Sequence, residues 1–192
     1  MRHLLLLLVC AWMASPAAAA EAPLLFVSSF AAGEKGAINA FQLDPATGGL
    51  KLLRRTAGVE NPFFLAVSRD GRFLYSIHAK TFGGKEHEQV AAYAIQGHTG
   101  ELKLLNRQST RGTASCYLDV DATGRTVVVA NYSTGSVASY PVKADGSLDE
   151  AGSFFQHAGS SVDPRRQKGP YAHSIVVSPD NRFALAADLG ID

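Results

Sequence analysis

One hairpin pattern occurs three times along the chain, and this repetition restricts the fold more than any other feature. Residues 65–75, 118–128 and 175–185 each read as a short apolar strand, a tight polar turn and a second strand. The copies begin 53 and 57 residues apart. Each turn places Gly or Asn before Arg, and these turn residues supply the positive φ that a two-strand connection needs. The sequence therefore predicts a protein built from repeated β-hairpins.

A second hairpin pattern recurs between the copies of the first. Residues 38–50 and 90–102 share it, and a copy that is one residue shorter follows at 137–148. One full period accordingly contains four predicted strands, near residues 63–68, 72–78, 89–95 and 102–108. Four antiparallel strands in a period of roughly 40–50 residues are typical of a β-propeller blade. An all-β sandwich is the alternative, but the repeated order of two different hairpins counts against it.

The predicted fold class is all-β, a β-propeller of four-stranded antiparallel blades. Residues 24–57 hold three strands, 61–110 and 114–157 a full blade each, and 172–188 the first two strands of a further blade. This division amounts to about three and a half blades, whereas propellers commonly have roughly 4–8. We therefore expect the outermost sheets to leave blade edges open, and self-association is the expected consequence.

Residues 1–20 have the layout of a secretory signal peptide. A short basic start precedes an apolar run over Leu4–Met13, and small residues end the segment. A membrane anchor is the alternative, but a spanning helix needs roughly 20 apolar residues and this run is about half as long. We predict cleavage after Ala20, a mature chain of residues 21–192 and a periplasmic or secreted location. Cleavage leaves Cys116 as the one cysteine, so no intramolecular disulfide is expected.

The charge balance and the cysteine count exclude several classes of partner and cofactor. The chain has 18 Lys and Arg residues against 17 Asp and Glu residues, so it lacks the excess positive charge that binds nucleic acid. Two cysteines are too few for a zinc cluster. His87 is flanked by Glu86 and Glu88, but neighbours in sequence do not form a metal site without further ligands. We predict no nucleic-acid partner, no membrane contact after cleavage, no metal and no cofactor.

Strand direction predicts where the functional site lies. In each blade the first strand follows the central channel and the second returns antiparallel to it, so the start of the first and the end of the second share one face of the disc. The predicted starts are Phe63, Cys116 and His173, and the predicted ends are His78, Asn131 and Asp188. The long loops at 81–88 and 157–172 belong to the same face. Long polar loops above channel-facing polar groups commonly form binding sites.

Six residues on this face are candidates for the site. His173 stands where the sister repeats have Phe63 and Cys116, so the fold itself does not require a polar group there. A neutral imidazole is a good general base, which makes His173 the candidate catalytic residue, with a merely hydrogen-bonded histidine as the alternative. The candidate substrate-binding residues are Asn131, Asp188, Arg165, Arg166 and Lys168. Asn131 and Asp188 can instead cap the turns after their strands, the basic residues can instead be a solvated loop, and Cys116 is read as a small apolar filler.

Four segments resemble a known family. Residues 61–68, 129–137, 169–175 and 187–190 resemble the lactonase seven-bladed β-propeller family, which includes the propeller type of 6-phosphogluconolactonase and a fungal carboxymuconate cyclase. The resemblance extends over the whole mature chain. It implies a seven-bladed disc, of which residues 21–192 form the N-terminal half.

The resemblance also implies an activity. In that family the proposed catalytic set is a histidine in a His-Ser motif, which His173 matches, with an arginine and a glutamate from the next blade and a later arginine. Matches to those other members would lie beyond residue 192, and Ile77-His78 departs from the Asn-Glu of many relatives. We therefore predict a hydrolase for a small-molecule sugar lactone, and we expect this 192-residue form to be inactive. A muconate-type lactonising cyclase and an exported, non-catalytic, ligand-binding propeller fragment are the alternatives.

Overall fold

Residues 21–191 are described by a computed structural model, and the signal peptide predicted at residues 1–20 lies outside them. Apart from one three-residue 3-10 helix at Gly33–Lys35, the regular elements of the described residues are β-strands, which confirms the all-β prediction. In chain order the strands are β1 Leu24–Ser29, β2 Ala37–Leu43, β3 Leu50–Ala57, β4 Leu65–Val67, β5 Phe73–His78, β6 Gln89–Gln96, β7 Glu101–Ser109, β8 Ser115–Val120, β9 Thr126–Asn131, β10 Ser136–Pro141, β11 Ser153–Gln156, β12 Ala172–Val177 and β13 Ala184–Asp188.

The strands form successive antiparallel sheets, as the repeats predict. The first blade has the order β1-β2-β3, and the second and third blades are four-stranded, β4-β5-β6-β7 and β8-β9-β10-β11. The fourth blade is represented by β12 and β13. Since each strand pairs with its neighbour in the chain, the blades are meanders, and the predicted division into about three and a half blades is confirmed.

The tight turns between the first two strands of the second, third and fourth blades have the predicted backbone geometry. Gly71, Gly124 and Asn181 occupy the same repeat position with φ of 70°, 69° and 59°. In this left-handed region the Cβ atom of most residues lies too close to the following carbonyl oxygen. Gly has no Cβ, and the short polar side chain of Asn can hydrogen-bond locally, so both residues suit the position. In the second blade the Ser68 hydroxyl donates to a carboxylate oxygen of Asp70 at 2.6 Å, and this side-chain hydrogen bond stabilises the turn.

The core consists of apolar layers between neighbouring blades. Alternate residues of each strand point to opposite faces, so each sheet contributes one row to the blade before it and one row to the blade after it. The layer between the second and third blades includes Tyr75, Ile77, Leu118, Val129 and Tyr140; the layer before it includes Ile38, Val59, Leu74 and Tyr93; the layer after it includes Val128, Ala130, Ala172 and Ile175. Ile77, Leu118 and Val129 are fully buried, and each contributes roughly 1.5–3 kcal/mol to stability.

Candidate functional site

The starts of β8 and β12 contain equivalent irregularities that place two side chains off the regular sheet. Ser115 pairs with Asn131 but Tyr117 pairs with Ala130, so Cys116 has no partner residue on β9. In β12 the register shifts in the same way between Ala172 and Ser174, and the residue without a partner is His173. A β-bulge redirects a side chain away from the alternation of its strand. The same β-bulge therefore places a thiol in the third blade and an imidazole in the fourth.

The His173 side chain lies at the surface beside two tyrosines. Its ring meets the ring of Tyr132 edge to face, with centroids 5.5 Å apart and an interplanar angle of 89°. Tyr132 also packs against Tyr171, with centroids 5.1 Å apart. Because His173 is exposed and its ring is held by an aromatic edge contact, the imidazole is oriented and still open to a ligand.

A small cleft opens next to this aromatic cluster. Its volume is about 290 Å³, and it is lined by Tyr132, Asp163, Arg166, Gln167, Tyr171 and Leu189. The Asp163 carboxylate accepts hydrogen bonds from the backbone N–H groups of Arg165 at 2.8 Å and Arg166 at 3.3 Å, so it shapes the turn that presents both arginines. Arg166 reaches the cleft, whereas the Arg165 side chain is 91% exposed and Lys168 is exposed outside the lining. Of the three predicted basic residues, the structure brings Arg166 to the aromatic cluster.

The side chain of Asp188, at the end of β13, is 5% exposed and joins three parts of the chain. Its Oδ1 accepts hydrogen bonds from the backbone N–H of Tyr171 at 2.7 Å and of Gly190 at 2.8 Å, and its Oδ2 lies 2.6 Å from Nδ1 of His157. Burial alone would raise the pKa of the Asp188 carboxyl, but the Tyr171 N–H, the His157 ring and the Gly190 N–H together hold it below its ordinary value. The geometry indicates that Asp188 positions Tyr171, and a direct role in substrate binding stays a prediction.

Asn131, at the end of β9, is fully buried in a hydrogen-bond network. Its Oδ1 accepts from the Ser115 hydroxyl at 2.7 Å, and its Nδ2 donates to the Thr110 carbonyl at 3.0 Å and to Ser136 Oγ at 3.1 Å. These contacts join the second blade, the connection after it and the third blade. The local geometry therefore favours the capping alternative for Asn131, although its predicted role in binding substrate remains untested.

Cys116 is buried against the backbone of His173. Its thiol donates to the His173 carbonyl at 3.2 Å. Burial, aided by the charge of Glu88, raises the pKa of the Cys116 thiol to about 11, so the group is neutral near pH 7. This is consistent with Cys116 as a packing residue that supports the bulge at His173.

Comparison with known proteins identifies the family. A family model described as a lactonase, 7-bladed beta-propeller, matches residues 24–192. The chain belongs to the lactonase seven-bladed β-propeller family. The resemblance noted in the four sequence segments is thereby confirmed.

Named relatives match this lactonase-family chain along most of its length. The 6-phosphogluconolactonase of Bacillus subtilis is 35% identical over 168 residues, which cover 87% of this chain and 46% of the relative. A solved structure from Bacteroides fragilis superimposes with a TM-score of 0.81 at 36% identity and covers 93% of this chain and 48% of that one. The periplasmic gluconolactonase of Pseudomonas aeruginosa superimposes with a TM-score of 0.75 at 33% identity, with coverage of 88% and 48%. The chain thus spans about half the length of the curated relatives it matches.

The sequence reasoning missed three residues that shape this face of the lactonase-family chain. Tyr132 and Tyr171 form the aromatic wall beside His173, and the available signal was that each lies within two residues of a predicted site residue. Glu88 is 2% exposed, and its carboxylate accepts hydrogen bonds from the backbone N–H groups of Gly83, Ala114 and Ser115. Its sequence context, a charged run on a loop, contains no sign of this burial.

Between residues 21 and 191 no three His, Cys, Asp or Glu side chains lie close enough together to hold a metal ion. No helix in that part of the chain is long and apolar enough to cross a membrane.

Proposed function

We propose that the protein contributes the histidine base of a sugar-lactone hydrolase. The observation that carries this proposal is the exposed imidazole of His173, whose ring meets Tyr132 edge to face; Tyr132 and Arg166 both line the adjacent cleft. Family membership supports it, because the Bacillus subtilis relative named 6-phosphogluconolactonase aligns with 87% of this chain.

The chemistry asks for one group that can take and return a proton. A lactone is an internal ester, and its hydrolysis adds one water molecule across the bond between the carbonyl carbon and the ring oxygen. His173 removes a proton from the water as the water oxygen bonds to the carbonyl carbon. The tetrahedral intermediate then collapses, the bond to the ring oxygen breaks, and the imidazolium returns the proton to that oxygen. The product is the open-chain hydroxy acid, and the imidazole is neutral again.

The neighbours of His173 have separate roles in this proposal. Tyr132 and Tyr171 present ring surfaces against which the apolar face of a sugar ring packs. The Arg166 guanidinium provides positive charge for an anionic group of the substrate or for the developing oxyanion. Asp188 holds the Tyr171 backbone through the hydrogen bond at 2.7 Å, so it acts as a positioning residue. Arg165 and Lys168 supply only long-range attraction for an anion, because both side chains are in solvent.

The decisive experiment replaces the base in a closed propeller. A chimera would join residues 21–191 to the blades of the Bacillus subtilis relative that follow the matched region. We expect His173→Asn to lower kcat/KM for lactone hydrolysis by about 10²- to 10⁴-fold, the usual contribution of a general base. The exposed His98→Asn variant is the matched control and should keep wild-type turnover and wild-type Tm. Unchanged turnover in the His173→Asn chimera would reject the assignment and leave the non-catalytic alternative.

The preferred substrate follows from where the protein acts. The signal peptide predicted at residues 1–20 would export the mature chain, whereas a phosphorylated sugar lactone is made inside the cell. We therefore infer an unphosphorylated sugar lactone and a periplasmic or secreted location. The periplasmic gluconolactonase of Pseudomonas aeruginosa, 33% identical to this chain, supports both inferences. The chimera assay with glucono-lactone and its 6-phosphate measures the preference directly, and a preference for the phosphate would contradict it.

A further inference from the structure

A larger cleft lies between the first and second blades, away from His173. Its volume is about 690 Å³, within the range of roughly 300–1,000 Å³ for small-molecule sites. The first blade and the connection after it contribute Glu34 and Glu60, the second blade contributes His78 and Arg107, and the loop 79–88 contributes Lys80. The aromatic cluster at His173 belongs to the third and fourth blades, so this cleft is a separate feature and its interpretation does not rest on the proposed lactonase activity.

His78 is the buried polar group of this cleft. The side chain is 4% exposed, and its Nε2 has no hydrogen-bond partner among the described residues. Burial and, to a lesser extent, the charge of Arg107 lower the pKa of His78 to about 4, so the imidazole is neutral at pH 7. Buried side-chain nitrogens in folded proteins are nearly always hydrogen-bonded. An unpaired one on the wall of a cleft therefore points to a partner other than the residues that the structure describes.

The sister repeats show that the fold does not need an unpaired group at this position. Asn131 and Asp188 occupy the equivalent strand ends, and each bonds to the connection that precedes its own blade: Asn131 to the Thr110 carbonyl at 3.0 Å, Asp188 to the His157 ring at 2.6 Å. The connection before the second blade contains Asn61. Its side-chain amide donates to the carbonyls of Ala79 and Lys80, at 2.9 and 3.2 Å, and not to the His78 ring. The imidazole of His78 thus lies in the wall of the cleft without a hydrogen bond from Nε2 to any described residue.

We propose that this cleft binds a hydroxyl-rich small molecule of monosaccharide size, with His78 as its central hydrogen-bonding group. A hydroxyl both donates and accepts, so it satisfies a neutral imidazole nitrogen in either tautomer. Glu34 and Glu60 accept hydrogen bonds from hydroxyls, and Arg107 and Lys80 donate to them. A lining that mixes acidic and basic groups in this way disfavours a multiply charged anion, for which the two carboxylates are repulsive.

The loop over the cleft is held in place by Glu88. Its carboxylate accepts the Gly83 N–H within the loop at 2.8 Å and the Ala114 N–H at the start of the third blade at 3.0 Å. Charge-assisted hydrogen bonds from backbone N–H groups to a buried carboxylate are among the strong ones in proteins. The loop 79–88 is therefore held against both the second and the third blade, and this pre-organises the cleft for a ligand.

Saturation-transfer difference NMR with the full chain tests the proposal, since it observes the ligand and tolerates a large or associated protein. The probes are D-glucose, a neutral ring, and D-gluconate, an open-chain carboxylate, each to about 20 mM, which detects millimolar dissociation constants. Binding of either probe supports the proposal, and their ratio shows whether the ligand carries a carboxylate. Acetate, which has the charge without the hydroxyls, should give no signal above background.

Two variants connect the signal to the cleft. His78→Asn installs the residue found at the sister position, Asn131, and should weaken binding by about tenfold or more. The control His98→Asn alters an exposed histidine on a distant turn and should leave binding unchanged. Arg107→Gln changes an exposed residue, so it preserves the fold and should also weaken binding about tenfold. Absence of binding by both sugars, equal binding by acetate, or wild-type binding in Arg107→Gln would overturn the proposal.

Discussion

At the scale of single residues, one repeat position shows how a strand end is adapted to its surroundings. His78, Asn131 and Asp188 all terminate the second strand of a blade. Asn131 and Asp188 are bound to the connection before their blade, and His78 is buried without that bond. The same backbone position thus carries a satisfied amide, a charged carboxylate and an unpaired neutral imidazole, and these differ in their response to pH.

The buried His78 should make stability fall in mild acid. Its folded pKa of about 4 lies below the ordinary value of 6.5, so from about pH 6.5 downward the unfolded chain takes up a proton that the folded chain refuses. The contribution of neutral His78 to the free energy of unfolding is therefore complete above pH 6.5 and decreases toward pH 4. At 1.36 kcal/mol per pKa unit, the loss at pH 4.5 is about 2 to 3 kcal/mol. Urea unfolding of the wild type and of His78→Asn, each at about pH 6.5 and about pH 4.5, measures this loss of stability.

The variant isolates His78 from the other titrating groups. The other titratable or charged side chains that line its cleft are Glu34, Glu60, Lys80, Lys85, Glu86, His87, Glu88 and Arg107. Their contributions are present in wild type and in His78→Asn, so they largely cancel in the comparison. His98→Asn should keep the wild-type pH dependence, since that histidine is exposed. Identical pH slopes for wild type and His78→Asn would show that His78 is not held neutral.

At the scale of elements, the connections between strands decide how blades are joined. The loop 79–88 is anchored through Glu88 to the start of β8, and the turn after β10 packs against the start of β5. In both places a loop of one blade contacts the neighbouring blade. Loop substitutions at these points should therefore cost stability as core substitutions do.

Removal of the Glu88 carboxylate should destabilise the protein far more than removal of its neighbour. Glu88→Ala leaves three backbone N–H groups without their acceptor, two of them buried, and we expect the free energy of unfolding to fall by about 3 to 5 kcal/mol. Glu86 is exposed on the same loop, so Glu86→Ala should stay within about 0.5 kcal/mol of wild type. Chemical denaturation of the two variants tests this, and equal losses would contradict the anchoring role.

Two glycines in turns separate backbone strain from contact between blades. Gly146 has a φ of 87°, and a Cβ there would collide with the ring of Phe73 in the preceding blade. Gly124 has a φ of 69° with open space around it. We expect Gly124→Ala to cost about 1 kcal/mol from backbone strain alone. Gly146→Ala should cost about 3 kcal/mol or more, because it adds overpacking.

Thermal unfolding of the two glycine variants gives the comparison. The Tm of Gly146→Ala should lie well below that of Gly124→Ala. Similar Tm values would mean that the turn after β10 moves away from Phe73 at little cost, and that the contact between these blades is not rigid.

At the scale of the whole molecule, each end of the blade series presents an apolar face. Leu25 and Leu52 lie on the face of the first blade turned away from the second, and Leu52 is 54% exposed. Val176 and Leu185 lie on the face of the fourth blade turned away from the third, and Leu185 is 59% exposed. Between other blades, faces of this kind form the core layers. The described chain therefore carries two surfaces suited to packing against a further blade.

We predict that the 192-residue protein self-associates through these faces. Leu185→Lys places a charge on one of them and should shift the population toward the monomer, as measured by size-exclusion chromatography with light scattering. Val162→Lys is the control, because Val162 is 93% exposed on a loop outside both faces. A monomer at all concentrations, or an equal effect of the two variants, would contradict the prediction.

Most of the fold follows from local sequence. The turns at residues 71, 124 and 181 need a left-handed backbone, which Gly and Asn tolerate, and the alternation of the strands selects which rows become core. The blade division and the ends of the second strands agree with these local rules, whereas β4 begins at Leu65 and not at the predicted Phe63. The family resemblance was also visible in the sequence, since it rests on four short segments of the chain.

What only the tertiary structure decided is which side chains meet across blades. The contact of Tyr132 with His173, the anchoring of Glu88 by Ala114 and Ser115, and the unpaired state of His78 all depend on how one sheet is oriented against the next. Such contacts join residues more than twenty positions apart, where no period or turn rule operates. Repetition along the chain therefore determined the blades, and packing between the blades determined which polar groups became partnered and which were left for a ligand.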